Sequence, residues 1–152
     1  SPKLYFMDPA LAGYLTRQPS AEAMLCGSMG GNFIEGLIVT EAVKCFYNRG
    51  MHPDLYFWRS HDGLEVDLII QIGNVLYPIE IKCSATPKSG FMTPLNQFKA
   101  IATAASLSVA EGLLVCQAPE PVALPGGNQC IPWNHFYQWL DDKLSAAERE
   151  CL

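Results

Sequence analysis

The sequence predicts one mixed α/β domain. With 152 residues, 49 % of them apolar, the chain is long enough for one sizeable core and short of two. Apolar residues at helical spacing lie on both sides of a group of β-branched runs, and two turn signals join three of those runs into consecutive hairpins. Charged residues make up only 16 %, against roughly a quarter in an ordinary soluble domain, which argues against disorder, a coiled coil or a basic nucleic-acid-binding tail. The apolar windows 100–110 and 121–140 are interrupted by polar residues, Pro and Gly. Neither reaches the roughly 18 continuous apolar residues of a membrane span.

Asp8 is an N-cap followed by Pro9 at the first helical position, so 8–17 is a short helix, read as an appendage that occupies 1–22 ahead of the main domain at 23–152. After the glycines of 27–31, Ile34, Leu37, Ile38, Ala42, Cys45 and Phe46 give an amphipathic helix over 32–48, stopped by Arg49-Gly50. Runs 55–60 and 64–72 flank His61-Asp62-Gly63, and the two-residue turn Gly73-Asn74 leads into 75–82, so three antiparallel strands follow one another. Thr93-Pro94 opens a helix whose stripe is Leu95, Phe98, Ile101, Ala102 and Ala105. A buried strand over 112–117 precedes a Pro- and Gly-rich loop at 118–128 and a small strand at Cys130-Ile131. A terminal helix starts at Pro132, runs through Phe136, Tyr137, Leu140 and Leu144, and frays over 146–152.

In a chain so short of charge, carboxylates within apolar elements are the informative residues. Helical phase places Glu35 between Ala42 and Phe46 on the apolar arc, pointing inward; Glu41 is either a second inward carboxylate or the mate of Lys44. Strand alternation sets Leu64, Val66, Leu68, Ile70 and Ile72 on one face and Glu65, Asp67, Ile69 and Gln71 on the other. If Ile72 faces Val75 across the turn, Asp67 falls opposite Glu80 and Glu65 opposite Lys82. Two like charges across a strand pair repel, so a positive group belongs between Asp67 and Glu80: a hard divalent cation, Mg2+ or Mn2+, or Lys82 alone. A Glu-x-Lys triplet arises by chance in roughly half of chains this long. Its weight here comes from the conjunction with Asp67 and Glu35.

These residues resemble the PD-(D/E)xK nuclease superfamily, whose restriction-endonuclease-like core is a helix, three antiparallel strands, a helix and a further strand. The resemblance implies metal ligands at Glu35, Asp67 and Glu80, a catalytic Lys82 within Glu80-Ile81-Lys82, and a polar helix residue at Gln97. The segments Tyr56-Phe57-Trp58-Arg59, Gly63-Leu64-Glu65-Val66-Asp67 and Tyr77-Pro78-Ile79-Glu80-Ile81-Lys82-Cys83-Ser84, with Lys3-Leu4-Tyr5-Phe6-Met7-Asp8, resemble more closely an uncharacterised C-terminal domain that follows an AAA+ ATPase module in many bacterial and archaeal proteins. That resemblance covers nearly the whole chain. It implies an ATPase module upstream, in keeping with a chain that opens on Ser1-Pro2 without an initiator Met and reads as a piece of something longer. No phosphate-binding loop occurs, so this chain carries no ATP site of that kind.

Two functions follow. In the first, the domain is a metal-dependent nuclease in which Asp67 and Glu80 hold the cation, Glu35 joins directly or through water, and Lys82 orients the attacking water or stabilises developing charge. In the second it is a silent module for docking the ATPase, a partner or a second copy of itself through Trp133, Tyr137 and Trp139. Ten Lys and Arg against 15 Asp and Glu, a net charge of −5, imply weak nucleic-acid binding by the domain alone. The six cysteines lack zinc-site spacing and read as small core residues in a reducing cytoplasm, the histidines read as surface residues, and Arg59, near Glu65, reads as a structural ion-pair partner in preference to a phosphate contact.

Overall fold

A computed structural model describes residues 3–150; Ser1, Pro2, Cys151 and Leu152, the last two in the stretch expected to fray, lie outside the described residues. The helices are α1 (Pro9–Leu15), α2 (Ala21–Cys26), α3 (Gly30–Asn48), α4 (Thr93–Ala104) and α5 (Phe136–Glu150). The strands are β1 (Leu55–Arg59), β2 (Glu65–Ile72), β3 (Val75–Ile81), β4 (Ser108–Val109), β5 (Leu113–Cys116), β6 (Val122–Leu124) and β7 (Asn128–Pro132). They form one mixed sheet in the order β1-β2-β3-β5-β7-β6, with the two-residue β4 also beside β3. β1, β2 and β3 are an antiparallel meander, β3, β5 and β7 run parallel, and β6 turns back against β7.

Local chemistry explains the elements that matter for the site. Asp8 accepts hydrogen bonds from Ala10 and Leu11 at the start of α1, as its capping position requires. Gly73 takes a positive φ of 58°, which L side chains rarely adopt, and so closes the β2–β3 hairpin in two residues with Ile72 opposite Val75. Gly30 begins α3 so close to α2 that a Cβ there would lie 2.2 Å from the Leu25 carbonyl oxygen. The helix α2 occupies a stretch in which no helix is expected from the sequence. β6 lies inside the expected 118–128 loop, and the small strand at Cys130-Ile131 extends to Asn128–Pro132.

Helices cover both faces of the sheet. On one face, Ile34, Ile38, Val39, Ala42, Cys45 and Phe46 of α3 and Phe136, Leu140 and Leu144 of α5 pack against Leu68, Ile70, Ile72, Ile79, Ile81, Leu113, Val115 and Ile131. On the other, Leu95, Phe98 and Ala102 of α4 pack with Met92 against Val66, Ile69, Leu114, Cys116 and Cys130. A fully buried Ile or Phe in such a layer contributes about 1.5–3 kcal/mol relative to exposure. Arg49 clamps α3 to α5, donating to Asp141, Ser145 and Glu148. Cys45, Cys116 and Cys130 are buried, but Cys26 is exposed, so not every cysteine is a core residue. Among the described residues, no helix is long and apolar enough to cross a membrane.

Candidate active site

The site is built where the β1–β2–β3 meander becomes irregular. Along β1, Tyr56 faces Ile69 and Trp58 faces Val66, so Asp67 and Leu68 together oppose Phe57 alone. This is a β-bulge, and it resets the alternation of side chains. Leu68, Ile70 and Ile72 face α3 and α5, whereas Val66 faces α4. Strict alternation puts Glu65 and Asp67 on the face opposite Leu68; the bulge corrects this, bringing both carboxylates to the side of α3, where Glu35 stands.

The β2–β3 ladder has the expected register from Ile72↔Val75 to Leu68↔Ile79 and pairs no further. Beyond it, the Asp67 carboxylate takes a backbone position: the Ile81 N–H donates to Asp67 Oδ2 at 2.9 Å. The expected pairing of Glu65 with Lys82 is therefore absent. Glu65 instead lies across from Arg59 on β1, whose guanidinium donates to Glu65 Oε2, as expected of a structural pair. Lys82 lies just past the end of β3, with its N–H donating to Val115 of β5.

Two lysines link the acids. Lys82 Nζ is 2.5 Å from Glu80 Oε1 and 3.4 Å from Asp67 Oδ2, so it is the positive group between those carboxylates. Lys3 Nζ is 2.7 Å from Glu35 Oε1, pairs with Glu65 and stands 3.9 Å from Asp67 Oδ1. The Tyr5 hydroxyl donates to the same Glu35 oxygen at 2.6 Å. Asp67 is the joint of the network, with one oxygen toward Lys3 and the other toward Lys82. Of the five candidate residues, Glu35, Asp67, Glu80 and Lys82 share this network. Gln97 is on α4, and among the described residues no hydrogen bond ties its side chain to them; its Oε1 is buried without a partner. Glu41 pairs with Lys44. His52, His61 and His135 are exposed.

Burial and neighbouring charge set the protonation of the site. Glu80, only 3 % exposed, is pushed up to about 7, first by burial and then by the Asp67 charge, despite Lys82. Burial also raises Asp67, outweighing Lys82 and the Ile81 N–H. For Lys82, burial alone favours the neutral amine, but Asp67 and Glu80 outweigh it and raise the pKa. Lys3 is raised in the same way by Glu35 and Glu65 against burial. Glu65 is lowered, because Lys3 and Arg59 overcome its burial. Tyr5 is raised by burial and by Glu35, so its hydroxyl remains a donor.

A hard cation fits one part of this arrangement. Glu80 Oε2 is buried and has no hydrogen-bond partner, which is costly unless something electropositive meets it. Together with Asp67 it offers the carboxylate oxygens that Mg2+ or Mn2+ prefers, an ion that keeps several waters and needs few protein ligands. Among the described residues, no group of three or more His, Cys, Asp and Glu side chains forms a ready cage, and the two lysines stand between the acids. Lys3 and Tyr5 are absent from the residues expected from the sequence. Their i, i+2 spacing in a non-helical segment is the one local hint that both reach the same neighbour.

The profile of one protein family, described as Domain of unknown function (DUF4143), matches residues 30–136, which is more than half of the chain. The chain belongs to this family. No curated protein and no solved structure matches it. The DUF4143 match includes Glu35, Asp67, Glu80, Lys82 and Gln97, and leaves Lys3 and Tyr5 outside.

Proposed function

We propose that this DUF4143 domain is a metal-dependent phosphodiesterase acting on nucleic acid, with a restriction-endonuclease-like core formed by α3, β1–β3, α4 and β5. The carrying observation is the meeting of Asp67, Glu80 and Lys82 where the β2–β3 ladder stops, with one buried Glu80 oxygen left free. Asp67 and Glu80 hold Mg2+ or Mn2+, and Glu35 joins directly or through water. The bound ion supplies Lewis-acid stabilisation of charge developing on the phosphate. Lys82 is held in its charged form by the two acids, so it acts as a hydrogen-bond donor and positive charge, orienting the attacking water or steadying the phosphate oxygens. Gln97 is a candidate for positioning substrate from α4.

With a net charge of −5, the domain relies on an upstream AAA+ ATPase module or a second copy of itself for nucleic-acid affinity, and it works in the cytoplasm. A second reading, a silent docking module, is favoured by the exposed apolar side chains Leu4, Leu11, Tyr14, Leu15 and Trp133; Tyr137 and Trp139 instead pack against the core. Incubation with Mn2+ and a DNA and RNA panel at low salt separates the two. Cleavage that drops by about 100-fold or more in Lys82→Ala, with the fold intact, supports the enzyme. Cleavage that survives in both Glu80→Ala and Lys82→Ala comes from a contaminant. No cleavage under any condition, with a stable complex between this chain and an AAA+ ATPase module, supports the docking module.

A further inference from the structure

The segment before α1 crosses the mouth of the acidic network, and its Lys3 stands where a cation shared by three carboxylates would stand. Its ammonium is within ion-pair distance of Glu35, Glu65 and Asp67, and lies 5.4 Å from the centre of the Phe57 ring. Four carboxylates, Glu35, Glu65, Asp67 and Glu80, meet only two lysines here, so the cluster keeps an excess of negative charge even after Arg59 is counted. The unpartnered Oε2 of the buried Glu80 belongs to the same cluster and points independently to a missing electropositive partner.

The strap that carries Lys3 is lightly attached. Leu4 is 92 % exposed, and Phe6 and Met7 are also exposed. Its anchors are Lys3 on Glu35 and Glu65, the Tyr5 hydroxyl on Glu35 with the Tyr5 ring packed against the α3-side core, and a hydrogen bond from the Thr40 hydroxyl to the Phe6 carbonyl. Removing Lys3 from the cluster therefore unfastens a short segment rather than a core element.

We propose that Lys3 is a built-in competitor for the divalent cation. Its ammonium fills the position among Glu35, Glu65 and Asp67, so that a cation drawn to Asp67 and Glu80 reaches Glu35 only as the 3–8 strap lifts away. This rests on the metal-site reading above and adds Glu65 to the oxygens open to the ion. Ligation of the cation by Glu35 and Glu65 and docking of the strap therefore oppose each other. By linkage, each weakens the other by the same factor. Anything that draws the strap away loads the site.

The test is Mn2+ titration by calorimetry of the wild type, Lys3→Met, Lys3→Arg and Asp67→Asn, with amide hydrogen exchange of residues 3–8 in the wild type with and without Mn2+. The expected result is about tenfold tighter Mn2+ binding by Lys3→Met, wild-type affinity restored in Lys3→Arg, and faster exchange across the strap when Mn2+ binds. Equal affinity in the wild type and Lys3→Met, both lost on adding Asp67→Asn, overturns the competition and leaves the metal site standing. No binding by any variant at millimolar Mn2+ overturns both. If Lys3→Met fails to fold, the wild-type exchange decides: Mn2+ that binds while strap exchange stays unchanged refutes the proposal.

Discussion

Replacing Glu80 by Gln should make the domain more stable in alkaline solution and leave it unchanged in acid. In the folded chain Glu80 titrates near 7, driven first by burial and then by Asp67, against an ordinary value of 4.5. Because the folded-state value lies above the unfolded one, the folded state holds an extra proton between them. The associated stability is fully present below about pH 4.5 and is lost as the pH rises through about 7. The gap corresponds to about 3 kcal/mol. Asp67, also raised, contributes with the same sign, whereas the lowered Glu65 contributes stability that is lost as the pH falls. Comparing wild type with Glu80→Gln cancels much of what those groups contribute. Urea unfolding followed by the fluorescence of Trp58, Trp133 and Trp139 at pH 4, 6, 7 and 8.5 should show coincident stabilities at pH 4. At pH 8.5 the variant should be ahead by up to about 3 kcal/mol. A constant offset across that range, or a variant less stable than wild type at pH 8.5, would refute the account of Glu80 as a buried carboxylate beside a second charge.

Two further perturbations test the scaffold. Arg49→Met removes the donors that tie the end of α3 to Asp141, Ser145 and Glu148 on α5 and should cost roughly 1–3 kcal/mol by urea midpoint, with secondary structure retained in circular dichroism. Phe46→Ala empties a fully buried position between α3 and the sheet and should cost about 3–5 kcal/mol, read as a large fall in Tm.

The meander and its flanking helices are legible in the sequence because their signals are local. The α3 stripe has a helical period, and Gly73-Asn74 specifies a two-residue turn, which sets the register that brings Asp67 near Glu80. The bulge at Asp67 and Leu68 is not legible. Both residues suit a regular strand, and the extra residue shows only against β1, so simple alternation assigns Glu65 and Asp67 to the wrong face. The lysine–carboxylate contacts of Lys3 are long-range: Glu35 is 32 residues away, and nothing in the helical phase of α3 announces its partner. β6 escapes notice for a related reason. Its three residues lie in a Pro- and Gly-rich stretch, and it is a strand only because β7 offers it an antiparallel edge. Residues that act through neighbours distant in sequence are those that periodicity cannot find.

Asp67 and Glu80 are proposed to form one divalent-cation site beside Lys82. Anomalous diffraction from crystals soaked in Mn2+ tests it most directly. A manganese peak is expected about 2.0–2.3 Å from an Asp67 carboxylate oxygen and from Glu80 Oε2, with Lys82 Nζ alongside, and no such peak in Asp67→Asn. A peak elsewhere on the chain, or none at these carboxylates at saturating Mn2+, would contradict it.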